Sequence, residues 1–129
     1  MKYLLMLITI VFLGCKKEAG EGGNARIYGK ILEADYNSDF TVLISELPAT
    51  DTYVYIKYGA KGEGFDDRVK TDYEGNFSFD FLYPGDYELY VYSRDSSFQN
   101  LSGETVVKQV VKIEGRKESV QAPTMTLFK

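Results

Sequence analysis

Side chains able to do chemistry are few in this sequence, and their spacing narrows what they can do. Tyr53 and Tyr55 stand two apart, as do Tyr90 and Tyr92. On a strand that spacing puts both rings of a pair on one face. Side-by-side phenols on an exposed sheet can stack on a sugar ring or grip a protein partner. The same residues also serve as plain cross-strand pairs. Asp66, Asp67, Asp72 and Glu74 gather round one turn signal and offer the hard oxygen ligands that calcium takes. Their spacing matches no calcium loop and turns collect acids anyway, so no metal or cofactor is expected. The chain has one cysteine, Cys15, and no histidine, which removes the commonest general base and the commonest metal ligand. There is no nucleophile elbow and no phosphate-binding glycine loop, and nothing singles out a carboxylate pair for glycoside hydrolysis. The expectation is a protein that is not an enzyme.

The charge balance excludes another class. The formal net charge is −4, and Lys57, Lys61, Arg68, Lys70, Lys108 and Lys112 are scattered. A nucleic-acid binder needs a clustered basic footprint, so no nucleic-acid partner is expected. A lone cysteine forms no internal disulfide, and the fold must be held by its core. The length of 129 residues fits one domain.

The elements that must position these residues repeat every two residues. Ile27, Gly29 and Ile31 share one face of a first strand. Tyr53 and Tyr55 alternate with Val54 and Ile56. Phe77, Phe79 and Phe81 alternate with Ser78 and Asp80. Tyr87, Leu89 and Val91 alternate with Glu88, Tyr90 and Tyr92, which places Tyr90 and Tyr92 opposite the core side. Val107, Val111 and Ile113 share a face, and residues 124–128 make a last strand. Phe40 to Ile44 can add an edge strand. Asp72-Tyr73-Glu74-Gly75 and Tyr83-Pro84-Gly85-Asp86 carry the residues of tight turns. No helical stripe occurs in this part. The fold class expected is all-β, a single antiparallel β-sandwich of seven or so strands over residues 25–129.

The start of the chain has another character. Lys2 precedes an apolar run from Tyr3 to Leu13, broken only by Thr9. As a helix that run rises roughly 18 Å, short of a hydrocarbon core of roughly 30 Å. A secretory leader over residues 1–14 fits better than a spanning helix. Phe12-Leu13-Gly14-Cys15 resembles the lipobox of bacterial lipoproteins, with Phe in place of the usual Leu at its first position. The resemblance implies cleavage before Cys15, acylation of that residue, and a membrane as partner through the lipid. Residues 15–24 are polar and glycine-rich, and composition makes them a flexible tether. In lipoproteins of this type an Asp after the cysteine retains the protein at the inner membrane. Lys16 stands there instead, and the implied location is the cell envelope, at the outer membrane of a Gram-negative bacterium.

Thr71-Asp72-Tyr73-Glu74-Gly75-Asn76-Phe77-Ser78-Phe79, followed by Leu82-Tyr83-Pro84-Gly85-Asp86-Tyr87-Glu88-Leu89, resembles the signature of carboxypeptidase-regulatory-like domains. These are transthyretin-like (prealbumin-like) β-sandwiches, similar to the B-type repeats of surface adhesins. The resemblance spans roughly residues 26 to 128. It departs at residues 33–51, a longer link than usual, and at the polar loop 93–103, in which Phe98 and Leu101 can dip into the core or meet a partner. Adhesin repeats often carry a Lys–Asn cross-link catalysed by an acid. Lys30 and Glu88 stand at suggestive places, but residues 122–129 hold no Asn, and the link is not expected. The family serves as spacer, folding aid and ligand platform alike. Two functions are therefore carried forward. One is a membrane-anchored, non-catalytic binding or structural module that holds an envelope protein. The other is a carbohydrate-binding accessory that uses exposed Tyr53, Tyr55, Tyr90 and Tyr92. A periplasmic folding aid is a third, weaker reading.

Overall fold

The computed structural model describes residues 18–59, 64–95 and 103–129. Cys15, the leader, Phe98 and Leu101 lie outside the described residues. Among those described the strands in chain order are β1 (Glu21–Tyr36), β2 (Leu43–Pro48), β3 (Tyr53–Tyr58), β4 (Asp67–Lys70), β5 (Asn76–Leu82), β6 (Gly85–Arg94), β7 (Glu104–Ile113), β8 (Ser119–Gln121) and β9 (Met125–Phe128).

β1 is the spine of one sheet. Its first half pairs antiparallel with β5 and parallel with β8, so that Ile27 has Phe79 on one side and Val120 on the other. Its second half pairs antiparallel with β2 and parallel with β9, with Ala34 between Glu46 and Phe128. The change of neighbour happens at Ile31, whose N–H donates to Gly75 O and whose carbonyl accepts from Ala49 N–H, each at 2.9 Å. The second sheet runs β4-β3-β6-β7, antiparallel throughout.

The two sheets face each other across the alternate residues. Ile27 and Ile31 of β1, Phe77 and Phe79 of β5, and Met125 and Leu127 of β9 are buried. Val54 and Ile56 of β3, Tyr87, Leu89 and Val91 of β6, and Val111 and Ile113 of β7 meet them from the other sheet in one cluster. Each such side chain removed from water contributes about 1.5–3 kcal/mol. The chain is thus an all-β sandwich, as the alternation predicts, with β8 and β9 running parallel to β1.

The signature residues hold the turns of this sandwich. The hydroxyl of Thr71 is buried, donates to Ala49 O and accepts from Thr52 N–H. Asp72 Oδ1 accepts from the backbone N–H of Glu74 and of Asn76, both at 2.9 Å. Gly75 sits at φ 79°, where a side chain would strain the backbone. Its missing Cβ leaves room for Ile31 O, which would lie 2.5 Å away.

Two expectations change. Phe81 does not continue the buried row of Phe77 and Phe79. It adopts φ 57°, which turns its ring out to 70% exposure and brings Leu82 into the core instead. The register of β1 against β5 shifts at the same place. Residues 18–24 also do not behave as composition predicts for a tether. Ala19 packs against the core and β1 begins at Glu21. Gly20 N–H donates to the buried Tyr87 hydroxyl at 2.9 Å, and Gly20 O accepts from Tyr83 N–H at 2.8 Å. Long-range partners order a segment that has no apolar pattern of its own.

Candidate functional site: the outer face of the β4-β3-β6-β7 sheet

The residues of β3 and β6 that point away from the core are Tyr53, Tyr55 and Lys57, and Glu88, Tyr90 and Tyr92. The register puts Tyr55 directly across from Tyr90 and Lys57 across from Glu88. On the flanking strands, Arg68 faces Tyr55 and Lys70 faces Tyr53, while Lys108 faces Tyr90 and Val106 faces Tyr92. The sheet therefore carries an aromatic centre with Arg68 and Lys70 along one border and Lys108 on the other.

All four tyrosines singled out in the sequence come together. Tyr55 and Tyr90 lie stacked, with centroids 5.0 Å apart and planes 10° from parallel. Tyr92 stands edge-on to both, at 5.4 Å from Tyr55 and 5.9 Å from Tyr90. Tyr53 adjoins Tyr55 at 6.1 Å. Phe65 closes the group at 4.9 Å from Tyr55. The guanidinium of Arg68 lies over the ring of Tyr53 at 4.1 Å, and the Lys70 ammonium at 5.1 Å.

Exposure divides the rings into two roles. Tyr90 is 8% exposed, and burial, followed by the neighbouring Tyr92, Tyr55 and Glu88, raises its phenol above the ordinary value of 10.0. It is the floor. Tyr92, 50% exposed, and Phe65, 49% exposed, offer ring surface to solvent. Beside them a depression of about 360 Å³ is lined by Lys57, Gly64, Glu88, Tyr90, Tyr92, Val106 and Lys108. Glu88 lies 3.7 Å from Lys108 at its edge. Aromatic walls with a few charged donors and acceptors are the makings of a small-molecule site.

No family model and no curated protein matches the chain. The chain is similar to a crystal structure from Pseudomonas aeruginosa, of a protein provisionally assigned to carbohydrate binding. The two are 14% identical, with a TM-score of 0.47 over 86% of this chain and 92% of that one. Chains related at this level need share no ligand.

The four acids are not brought together. Asp66 and Asp67 lie at the start of β4, and Asp72 and Glu74 beyond its end, which separates the pairs by roughly 15 Å of extended chain. Asp66 Oδ2 accepts from Tyr58 N–H at 2.7 Å, and Asp67 Oδ1 from Arg68 N–H at 2.8 Å. Among the described residues no group of three or more acids or cysteines is placed to hold a metal ion. Lys30 and Glu88 follow the same pattern. Each lies between buried neighbours, on β1 and β6, so they face outward from opposite sheets.

Phe65, Arg68 and Lys70 were not among the expected site residues. The register of β4 on β3 would have placed Arg68 and Lys70 on the tyrosine face. Phe65 lies before β4, and no periodic signal could have found it.

Proposed function

We propose that the protein is a non-catalytic saccharide-binding module, held at a membrane of the cell envelope by a lipid on Cys15. The observation that carries this reading is the exposed rings of Tyr92 and Phe65 beside the charged depression. A spacer would present Lys, Glu, Thr and Ser on its outer face, and a flat saccharide platform two or three coplanar exposed tyrosines. Of the four only Tyr92 is exposed, edge-on to Tyr55 and Tyr90. A sugar ring offers C–H groups on its flat side and hydroxyls round its rim. The first suits the aromatic surface, and the second suits Lys57, Glu88 and Lys108. Tyr55 and Tyr90 hold Tyr92 in place, so little ordering remains when the ligand arrives. The lipobox resemblance supports the anchor, and Lys16 after the cysteine supports the outer-membrane location.

A glycan array probed with the full chain tests this. Binding should fall about tenfold or more in Tyr92→Ala, a loss of roughly 1.4 kcal/mol, with thermal stability nearly unchanged. A blank array from folded protein would sink the saccharide reading.

A second reading, capture of an envelope protein, is favoured by β2. That strand pairs with β1 alone among the described residues, and Val42, Leu43, Ile44 and Leu47 are all exposed around it. Apolar edge strands accept another chain's strand. A photo-cross-linker at Ile44 in whole cells should then capture one defined neighbour; diffuse labelling would count against it.

A further inference from the structure

At the end of the sandwich, beyond the tyrosine face, lies a charged group with two buried donors unpaired among the described residues. Tyr36, Phe40 and Phe128 form an aromatic triad with centroids 5.4–6.2 Å apart. Phe40 is held at φ 55°, a strained value for a ring-bearing residue. A built turn keeps it there. Asn37 O accepts from Phe40 N–H, and Asn37 Oδ1 accepts from the N–H of Thr41 and of Val42 at 2.8 and 3.1 Å. The guanidinium of Arg94 lies over the Phe40 ring at 4.2 Å.

Nε and Nη2 of Arg94 are buried, and no acceptor reaches either among the described residues. These two donors share one edge of the guanidinium, the edge that meets both oxygens of a carboxylate at once. Glu104 is opposite Arg94 in the register. A depression of about 320 Å³ opens here against Tyr92, Ser93, Arg94, Gly103, Glu104 and Phe128. Tyr92 is therefore the wall shared by this depression and the one on the aromatic face.

We propose that Arg94 recognises a carboxylate, and that the saccharide taken by this protein is acidic, with a uronic acid residue seated past Tyr92. The identity of the ring rests on the saccharide reading above; the carboxylate rests on the orphaned edge of Arg94. That edge is buried beside the depression that Arg94 lines. An acceptor gained there satisfies two donors that are buried without a partner among the described residues. Fork geometry, matched to a planar carboxylate, is what selects.

Isotope-labelled full-length protein titrated with glucuronate, glucose and acetate tests this, read at the Arg94 Nε–H signal and at the Tyr92 ring by NMR. Glucuronate should move both signals saturably, and glucose the Tyr92 ring alone. Arg94→Lys keeps the charge and loses the fork, and should weaken glucuronate about tenfold while leaving glucose unchanged. If both sugars move Tyr92 while Arg94 stays in place, the assignment of Arg94 is overturned and the saccharide face stands. If acetate moves Arg94 as far as glucuronate and neither sugar moves Tyr92, the acidic-sugar ligand is overturned together with the saccharide reading. Should Arg94→Lys fail to fold, the wild-type titration decides alone.

Discussion

Removing one oxygen atom from Tyr87 should destabilise the protein severely. Tyr87 is fully buried between the sheets, edge-on to Tyr58 at 5.9 Å. Its hydroxyl accepts from Gly20 N–H at 2.9 Å and donates to Tyr83 O at 2.6 Å. Tyr87→Phe keeps the ring and its packing, so the change isolates the hydroxyl. It leaves an N–H and a carbonyl without their partner, at about 1–3 kcal/mol for each buried group. Tyr83 N–H still donates to Gly20 O, which limits the rearrangement. A total of about 2–4 kcal/mol follows, or roughly 10–20 °C in Tm for a domain of this size. Urea unfolding of Tyr87→Phe beside Tyr73→Phe measures it, since Tyr73 is 79% exposed and its variant should match wild type within about 0.5 kcal/mol. A shifted midpoint with an unchanged slope is the expected result. If Tyr87→Phe loses less than about 0.5 kcal/mol, the hydroxyl does not tie residues 18–20 to the core, and the ordering described for that segment is refuted.

Burial is the first cause that raises the phenols of Tyr58, Tyr87 and Tyr90 above 10.0. An unfolded phenol loses its proton first, so the stability these groups contribute is complete below pH 10 and is lost as pH rises beyond it. Urea midpoints should hold level up to about pH 9 and then fall steeply, with phenolate absorbance lagging behind that of free tyrosine. Gly75→Ala should cost about 2 kcal/mol or more, from a positive φ and from the clash with Ile31 O. Gly59→Ala, at φ 76° with open space around it, should cost only about 1 kcal/mol in the same thermal melts. Asp72→Ala should lose about 1–2 kcal/mol through its two backbone hydrogen bonds. Calcium should leave the melting temperature of the parent protein within about 1 °C of that in chelator; a larger rise would restore Asp72 and Glu74 as metal ligands.

Much of the sheet interior could be read from period two, because a strand in a sandwich exposes one face and buries the other. Val54, Ile56, Leu89 and Val91 follow that rule, and so does the outward placing of Tyr55 and Tyr90. The rule breaks where the backbone leaves the extended region. Phe81 has the right residue type and spacing for the core and is turned out by its φ alone. It fails again where order comes from distant partners. Residues 18–24 carry no pattern, yet Tyr83 and Tyr87 fix Gly20. The Arg94 site was illegible for the same reason. Phe40 and Arg94 are far apart in the chain and meet only in the folded sandwich.

The spine strand has a mechanical consequence for an anchored protein. Under the proposed attachment at Cys15, any pull between membrane and ligand enters the domain through Gly20 and the start of β1. β1 is flanked on both sides along its length, by β5 and β8 first and then by β2 and β9. Tension along its axis therefore loads many hydrogen bonds together in shear, where a peripheral hairpin would peel one bond at a time. Rupture under load is governed by the unfolding rate. The proposed point of attachment thus coincides with a strand held on both sides, and a tug between it and the tyrosine face on the other sheet is passed on through the core between the sheets.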